Sequence, residues 1–222
     1  MSDLTLIIPA KNERESLPKV LDELKRFNFK KNILLESSDS LTIDAIKMHD
    51  CKVIYQDSKG YGDALKKGIN TVDSEYFCIF NADGSFDPKE LNFMIDRLKH
   101  EKYDFVFASR YEKNCGSDDD TFVTFIGNYI FTYLGKIFFK LKITDILYTF
   151  VMARTSCAKK LELTSKDFSF CVELPIKARR ANFKIGTSNS YERARIAGKK
   201  KVSAFKDGLK ILFSMIKLFF RH

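Results

Sequence analysis

Residues 76–85 read YFCIFNADGS, five apolar residues followed at once by short polar side chains, one carboxylate and a glycine. An apolar run of this length is typical of a buried strand, and the polar residues after it mark the carboxyl end of that strand. Open α/β sheets bind their ligands at that edge, and oxygen side chains placed there suit a hard cation that contacts phosphate oxygens. The stretch therefore favours an α/β enzyme that acts on a phosphorylated ligand.

The surrounding sequence alternates short apolar runs with helical patterns. Strands are predicted at 4–8, 33–35, 52–55, 76–80 and 105–108, and helices at 17–27, 42–49, 62–70 and 88–100. Further along, strands are predicted at 148–153 and 183–187, with a helix at 170–181. This alternation predicts an α/β fold with three α/β/α layers, in which helices cover both faces of a mostly parallel sheet. Residues 112–120 are polar and acidic, and predict a loop.

Composition limits the class of protein. The 222 residues suit one substantial core, and a formal net charge of +9 at pH 7 favours an anionic partner. The five cysteines are scattered, so we expect neither a disulfide framework nor a zinc site. Nucleic acid is not expected as a partner, because the aromatic residues lie on apolar faces and are not interleaved with the basic ones.

The last part of the chain predicts a basic amphipathic helix at 203–222, set apart from a domain at 1–202. Its apolar face is predicted to carry Phe205, Leu209, Leu212, Ile216 and Phe219, and its basic face Lys206, Lys210, Lys217 and Arg221. This helix and the aromatic stretch 122–141 both suit the surface of an anionic membrane or an integral membrane partner. No signal peptide is apparent, and the longest uncharged window, 122–135, is shorter than the roughly 20 residues of a spanning helix. We therefore expect a cytoplasmic protein, peripheral at the inner face of the membrane.

Four other segments each allow a functional and a structural interpretation. Residues 9–13 follow the first predicted strand, where they would line a nucleotide site or begin a helix. Glycines in 60–68 would let the backbone approach a ligand or make a turn before a helix. Arg110 follows another strand, where it suits a bidentate grip on phosphate or a structural ion pair. The basic segment 193–201 would clamp a diphosphate leaving group or remain a solvated loop.

The order of these segments resembles the family 2 glycosyltransferases of GT-A fold, and within them the dolichyl-phosphate mannosyltransferase-like branch that charges polyprenyl phosphates. The resemblance runs from about residue 3 to 202. Residues 6–13 (LIIPAKNE) resemble the family's opening nucleotide-binding motif, and residues 60–68 resemble its glycine-rich helix entry. Residues 81–85 (NADGS) resemble the family's D-x-D metal motif, and residues 108–111 (ASRY) resemble its G-S-R-Y motif. Residues 195–201 (RIAGKKK) resemble its terminal R-x-x-G-x-S-K motif.

The resemblance implies transfer of a sugar with inversion from a nucleoside-diphosphate sugar to a polyprenyl-phosphate-type lipid, with Mg²⁺ or Mn²⁺ as cofactor. Asp83 and Ser85 would hold the metal. The nucleotide sugar would be held by Pro9, Ala10, Lys11, Glu13, Glu36, Asn81, Ala82, Asp83, Arg195 and Lys201. The catalytic set would be Asp83, Arg110 and Asp145, with Glu173 as a second candidate base for a hydroxyl acceptor.

The sequence also departs from the family pattern. Asn81 replaces the first Asp of the metal motif, and residues 36–42 (ESSDSLT) are a degraded form of a D-D-G-S-x-D segment. Lys11 stands where an aromatic residue is frequent, and Lys200 replaces the usual Ser. Two alternatives follow: a transferase to a saccharide or other hydroxyl acceptor, and a catalytically weak protein that binds nucleotide sugars or a partner.

Overall fold

The computed structural model describes residues 3–198, 201 and 203–220, so the predicted Lys199, Lys200 and Arg221 lie outside the described residues. The strands are β1 (Leu4–Pro9), β2 (Lys30–Leu35), β3 (Lys52–Tyr55), β4 (Tyr76–Ile79), β5 (Phe105–Ser109), β6 (Gly116–Ser117), β7 (Val151–Arg154), β8 (Ile185–Asn189) and β9 (Tyr191–Glu192). Seven of them form one sheet in the order β3-β2-β1-β4-β7-β5-β8, and β6 pairs with β9.

The sheet is mostly parallel, as predicted, and β7 is its antiparallel member among the described residues. Because β4 and β5 both run against β7, they run in the same direction as each other. The carboxyl ends of β1, β2, β4 and β5 therefore meet at one edge of the sheet. The predicted strand 148–153 begins only at Val151, since Tyr148 turns into the core and bonds its hydroxyl to Ser190 at 3.1 Å.

Helices cover both faces of the sheet, so the predicted three layers are confirmed. The helices are α1 (Leu17–Leu24), α2 (Ser40–Ile46), α3 (Tyr61–Thr71), α4 (Glu90–His100), α5 (Phe122–Phe139), α6 (Thr155–Lys159), α7 (Phe170–Arg180) and α8 (Ala204–Phe220). Alternate strand residues serve the two cores: Leu6 and Ile8 pack with α1, α2 and α4, whereas Ile7 packs with α3, α5, α6, α7 and α8. All five cysteines are free.

Helix α5 is reversed relative to an ordinary surface helix, because its inward face is partly polar and its outward face is apolar. On the inward face, Asn128 donates to Asp145 at 2.7 Å and accepts from the Leu147 amide at 3.0 Å, while Thr132 accepts from the Ile146 amide at 3.2 Å. The exposed large apolar side chains are Phe122, Val123, Phe125, Ile126, Tyr129, Ile130, Tyr133, Ile137 and Phe138.

Helix α8 packs on α5 and α7 through Ile211 and Met215, which the predicted apolar face did not include. That predicted face points outward instead, with exposed Phe205, Leu209, Ile216 and Phe219. The two helices join where the Phe138 and Phe219 rings meet edge to face, 5.6 Å between centroids. We call the exposed apolar residues of α5, together with Phe205, Leu209, Phe213, Ile216, Phe219 and Phe220, the outer apolar surface.

By length and composition alone, α5 is the one helix among the described residues that qualifies as a candidate membrane span. Its 18 residues extend beyond the uncharged window 122–135, because Lys136 is accommodated near its end. The core helix of a soluble protein meets the same criterion, so the length of α5 carries no argument for a span.

Candidate active site

The loop after β4 holds Asp83 in a fixed position at the carboxyl edge. Its Oδ1 accepts hydrogen bonds from the Ser85 amide at 3.0 Å and the Ser85 hydroxyl at 2.7 Å, and Asn81 Nδ2 donates to the same hydroxyl at 3.3 Å. Gly84 has a positive φ of 84°, and the Ile196 side chain fills the space that a Cβ would need there. The predicted metal residues therefore lie together, with Asp83 Oδ2 left to face other groups.

Residues 193–198 lie against this loop and are bonded to it through the backbone. The Arg193 amide donates to the Ser85 carbonyl and the Ile196 amide to the Asp83 carbonyl, both at 2.8 Å. The Arg193 guanidinium reaches the carbonyls of Gly84 at 3.1 Å and Phe86 at 2.8 Å. Arg193 thus fixes the loop, a role that the sequence did not reveal.

Arg195 connects the loop at 81–85, which we call the metal loop, with an acidic residue that was not among the predicted site residues. Its Nη2 lies 3.1 Å from Asp119 Oδ2 and 3.5 Å from Asp83 Oδ2. Burial alone would lower the pKa of Arg195, but the hydrogen bond to Asp119 and the nearby carboxylates outweigh this and raise it. The signal for Asp119 was the acidic run at 118–120 in the predicted loop, to which no function had been attached.

The predicted nucleotide-binding residues gather at the ends of β1 and β2. The Ala10 amide donates to the Leu34 carbonyl at 2.8 Å, which continues the pairing that Pro9 makes with Leu34. The Lys11 ammonium lies 3.1 Å from Glu36, and Lys201 forms an ion pair with the buried Glu13. The described cations Lys11, Arg195 and Lys201 thus lie at one edge of the sheet, where each is paired with a carboxylate in the protein without ligand.

The altered segment 36–42 keeps a structural link to this site. Asp39 caps α2 by accepting from the Thr42 amide at 3.4 Å, and its other oxygen accepts from the Asn12 amide at 2.7 Å. The Thr42 hydroxyl in turn accepts from the Glu13 amide at 3.0 Å. Residues 36–42 therefore hold the first loop in place even though their sequence departs from the family pattern.

Arg110 makes the ion pairs that its structural interpretation predicts. Its guanidinium contacts Asp145 through Nε at 2.7 Å and Nη2 at 2.9 Å, and Glu192 through Nη1 at 2.9 Å. Burial opposes the charge of Arg110, but the hydrogen bonds that it donates to Asp145 and the charges of Asp145 and Glu192 outweigh burial and raise the pKa of the guanidinium. In the protein without ligand, the Arg110 guanidinium is thus held between two carboxylates.

The two carboxylates predicted as bases are both occupied. Asp145 is fully buried and accepts from the Arg110 amide, the Arg110 guanidinium and Asn128. Glu173 accepts from the Thr164 amide and hydroxyl and from the Ser165 amide, each at 2.8 Å, and pairs with Lys177. These contacts show that each carboxylate holds its own surroundings together. The prediction that either one acts as a base stays a prediction.

The glycine-rich segment at the start of α3 also serves packing. A Cβ on Gly62 would meet the Ser165 carbonyl oxygen at 2.6 Å and the Asp167 carbonyl oxygen at 2.8 Å. Gly60, with a φ of 130°, lies against the carbonyl of Lys166. The close approach is to the loop at 165–167, so the turn interpretation of this segment fits the structure.

The ligand atoms of the metal loop are of the type that a hard divalent cation prefers, since Asp83, Ser85 and Asn81 offer carboxylate, hydroxyl and amide oxygens. It is low in charge, because Asp83 is the one carboxylate in the motif. Across the part of the chain that the structure describes, no group of three or more His, Cys, Asp or Glu residues is placed to hold a metal ion. The residues fit Mg²⁺ or Mn²⁺, which would also draw on the diphosphate oxygens of a bound donor.

Comparison with known families identifies the family of this chain. The model of glycosyl transferase family 2 matches residues 5–162. The chain belongs to this family. This family 2 glycosyltransferase is 24% identical over 200 residues to an uncharacterised glycosyltransferase of Mycobacterium tuberculosis, covering 90% of this chain and 89% of the relative. It is 23% identical over 218 residues to a dolichyl-phosphate hexose transferase of Haloferax volcanii, covering 97% and 93%.

The fold of this family 2 glycosyltransferase is similar to that of glucosyl-3-phosphoglycerate synthase from Mycobacterium tuberculosis. A structure of that enzyme with Mn²⁺, uridine diphosphate and phosphoglyceric acid gives a TM-score of 0.78 at 14% identity, covering 98% of this chain and 78% of the other. A structure of it with Mg²⁺ and uridine diphosphate gives a TM-score of 0.75. The predicted fold class, including its GT-A architecture, is confirmed.

Proposed function

We propose that this glycosyltransferase moves a sugar, with inversion, from a nucleoside-diphosphate sugar to a lipid-phosphate acceptor at the inner surface of a membrane. The donor half of the proposal is supported by the edge that brings the metal loop, Lys11, Arg195 and Lys201 together. It is also supported by the neighbouring fold that binds uridine diphosphate with Mn²⁺ or Mg²⁺.

The observation that carries the lipid acceptor is the reversed helix α5. A monomer in water rarely exposes a contiguous apolar patch larger than a few hundred square ångströms, and such patches mark protein or membrane interaction sites. Here the outward face of α5 is apolar along its whole length and continues onto α8. Helix α5 also begins beside the site, because its N-cap Thr121 follows two residues after Asp119, which contacts Arg195. The outer apolar surface therefore extends from the region of transfer.

Charge at the borders of this surface favours an anionic membrane as the occupant. Lys206, Lys210 and Lys217 are exposed on α8, and Lys136 is exposed in the last turn of α5. A basic lysine near an anionic bilayer surface contributes about 1 kcal/mol, and apolar side chains entering the interface add to it. The distant relative from Haloferax volcanii, a dolichyl-phosphate hexose transferase, points in the same direction.

The chemistry needs no proton transfer. A phosphate oxygen of the acceptor, already ionised near neutral pH, forms the bond to the anomeric carbon, and the bond from that carbon to the diphosphate oxygen breaks. The nucleoside diphosphate leaves with the electron pair, and attack from the opposite side inverts the sugar. A bound Mg²⁺ or Mn²⁺ supplies charge neutralisation for the diphosphate. Arg195 and Lys201 would contribute positive charge to the same group. The occupied Asp145 and Glu173 agree with an acceptor that requires no base.

The deciding experiment separates donor from acceptor. Thermal shift with a panel of nucleotide sugars and Mn²⁺ identifies the donor, since binding raises the apparent stability by mass action. Transfer is then measured to a polyprenyl phosphate, a disaccharide and phosphoglyceric acid. Of these three acceptors, we expect only the lipid phosphate to give product. Transfer to the hydroxyl acceptors but not to the lipid phosphate would contradict the proposed lipid-phosphate acceptor. If no nucleotide sugar binds, the proposed transferase activity is wrong.

Membrane binding gives a separate prediction. Replacing the exposed Phe213 and Tyr129 by Ser should reduce co-sedimentation with phosphatidylserine-containing liposomes by about tenfold or more, because burying one large apolar side chain contributes roughly 1.5–3 kcal/mol. Both side chains are 67% exposed, so folding stability should change little. The matched control is Phe93→Ser on α4, an apolar residue 55% exposed on the opposite layer. Equal pelleting of all three proteins would contradict the membrane surface.

A further inference from the structure

The metal motif of this chain is short of one negative charge. Asn81 stands where the motif that it resembles has a carboxylate, so Asp83 is the one charged residue in 81–85. Of its two oxygens, Oδ1 is engaged by the Ser85 amide and hydroxyl. Divalent cations bound by proteins prefer several oxygen ligands and gain affinity with the number of charged ones. The remaining charge must come from the donor or from another part of the chain.

Another part of the chain already places a carboxylate beside Asp83. Asp83 Oδ2 and Asp119 Oδ2 both contact Arg195 Nη2, at 3.5 Å and 3.1 Å, so the two oxygens lie at most about 6.6 Å apart. The guanidinium nitrogen between them is a cation held by two carboxylates. It marks a place where the fold accommodates positive charge, and the same two side chains would suit a metal ion there.

Asp119 is held in this place by a built loop. The Asp119 and Asp120 amides donate to the Ser117 hydroxyl at 3.1 Å and 2.9 Å, and the Asp118 amide donates to the Glu192 carbonyl at 2.8 Å. The pairing of β6 with β9 then ties this loop to the segment that carries Arg195. The loop, the Arg195 segment and the metal loop are therefore bonded to one another, which limits how far Asp119 can move from Asp83.

We propose that Asp119 is a second carboxylate ligand of the divalent cation, supplied by the loop between β6 and α5 in place of the charge missing at Asn81. The proposal rests on the metal-dependent donor site of the proposed function. It also assigns Arg195 two partners: the carboxylates in the donor-free protein, and the diphosphate in the complex. With Asp83 and Asp119 bound to the cation, Arg195 would be able to contact the leaving group.

The test measures Mn²⁺ binding directly, from the electron paramagnetic resonance signal of the free ion, with and without inorganic pyrophosphate as a probe of the diphosphate site. We expect Asp119→Asn to weaken Mn²⁺ binding by at least about tenfold, the lower limit for residues that merely support a metal site. Asp118→Asn is the matched control, because Asp118 is exposed and accepts from the Tyr191 hydroxyl at 2.6 Å. Its affinity should equal that of the unmodified protein.

A second pair of variants tests the compensation. Asn81→Asp should tighten Mn²⁺ binding, and Asn81→Asp combined with Asp119→Asn should return it to within about threefold of the original, because the carboxylate gained at position 81 offsets the one lost at position 119. If Asp119→Asn weakens pyrophosphate binding but leaves Mn²⁺ binding unchanged, Asp119 serves only Arg195 and the proposal is wrong. If Asp83→Asn also leaves Mn²⁺ binding unchanged, the metal site of the proposed function fails as well.

Discussion

Replacing Asp83 by Asn is expected to lower the rate of sugar transfer by about 10²–10³-fold, the loss that follows removal of one preorganised group that stabilises developing charge. Asp83 is the one residue of the motif that offers a full negative charge to a cation, and its Oδ2 lies 3.5 Å from Arg195 Nη2. Asn can still accept from the Ser85 amide and hydroxyl, so the loop should keep its shape. The loss would then report on charge rather than on folding.

The measurement is steady-state transfer over a range of Mn²⁺ concentrations, together with the thermal midpoint of each protein. Asp87→Asn is the control, since Asp87 lies in the same loop but bonds to the Lys89 amide at the start of the next helix, at 2.9 Å. We expect its rate to stay within about twofold of the original, as for a substitution that touches no reacting group. Unchanged transfer by Asp83→Asn, with an intact thermal midpoint, would remove Asp83 from the site.

Much of the fold followed from residue patterns. Apolar runs such as 4–8 and 76–80, separated by helical patterns, led to all the strands of the first half and to the three layers. The antiparallel direction of β7 did not follow, because an apolar run such as 148–153 has the same composition in either direction. The outward orientation of α8 did not follow either, since apolar residues occur nearly all round that helix and periodicity cannot select the face that packs.

The site was predictable where one segment carries it and unpredictable where distant segments meet. Residues 81–85 form a local loop, and their grouping followed from the sequence. Asp119 reaches the site only because β6 pairs with β9, a contact of two residues on each strand that leaves no sequence signal. In the same way, Arg110 could be placed at a strand end, but its partners lie 35 and 82 residues further along the chain. Local patterns therefore left its phosphate and ion-pair interpretations open.

A stability measurement decides between those interpretations of Arg110. Arg110→Leu is expected to lower the free energy of unfolding by about 3–5 kcal/mol, because it leaves two buried carboxylates, Asp145 and Glu192, without their counter-ion. The side chains of Arg110, Asp145 and Glu192 are only 10%, 0% and 11% exposed, so solvent offers little compensation. The measurement is urea unfolding of the ligand-free protein at neutral pH.

The control variant removes the charges together. In Arg110→Leu combined with Asp145→Asn and Glu192→Gln, no charge is left buried, and we expect a large part of the lost free energy to return, since replacing a whole buried ionic group costs far less than removing one partner. A diphosphate-binding Arg110 predicts the opposite pattern. Replacing Arg110 would then weaken donor binding while the free energy of unfolding of the ligand-free protein stayed the same. The triple variant would then show no recovery of that free energy. Because the two interpretations differ in a protein without ligand, the answer does not depend on knowing the donor or the acceptor.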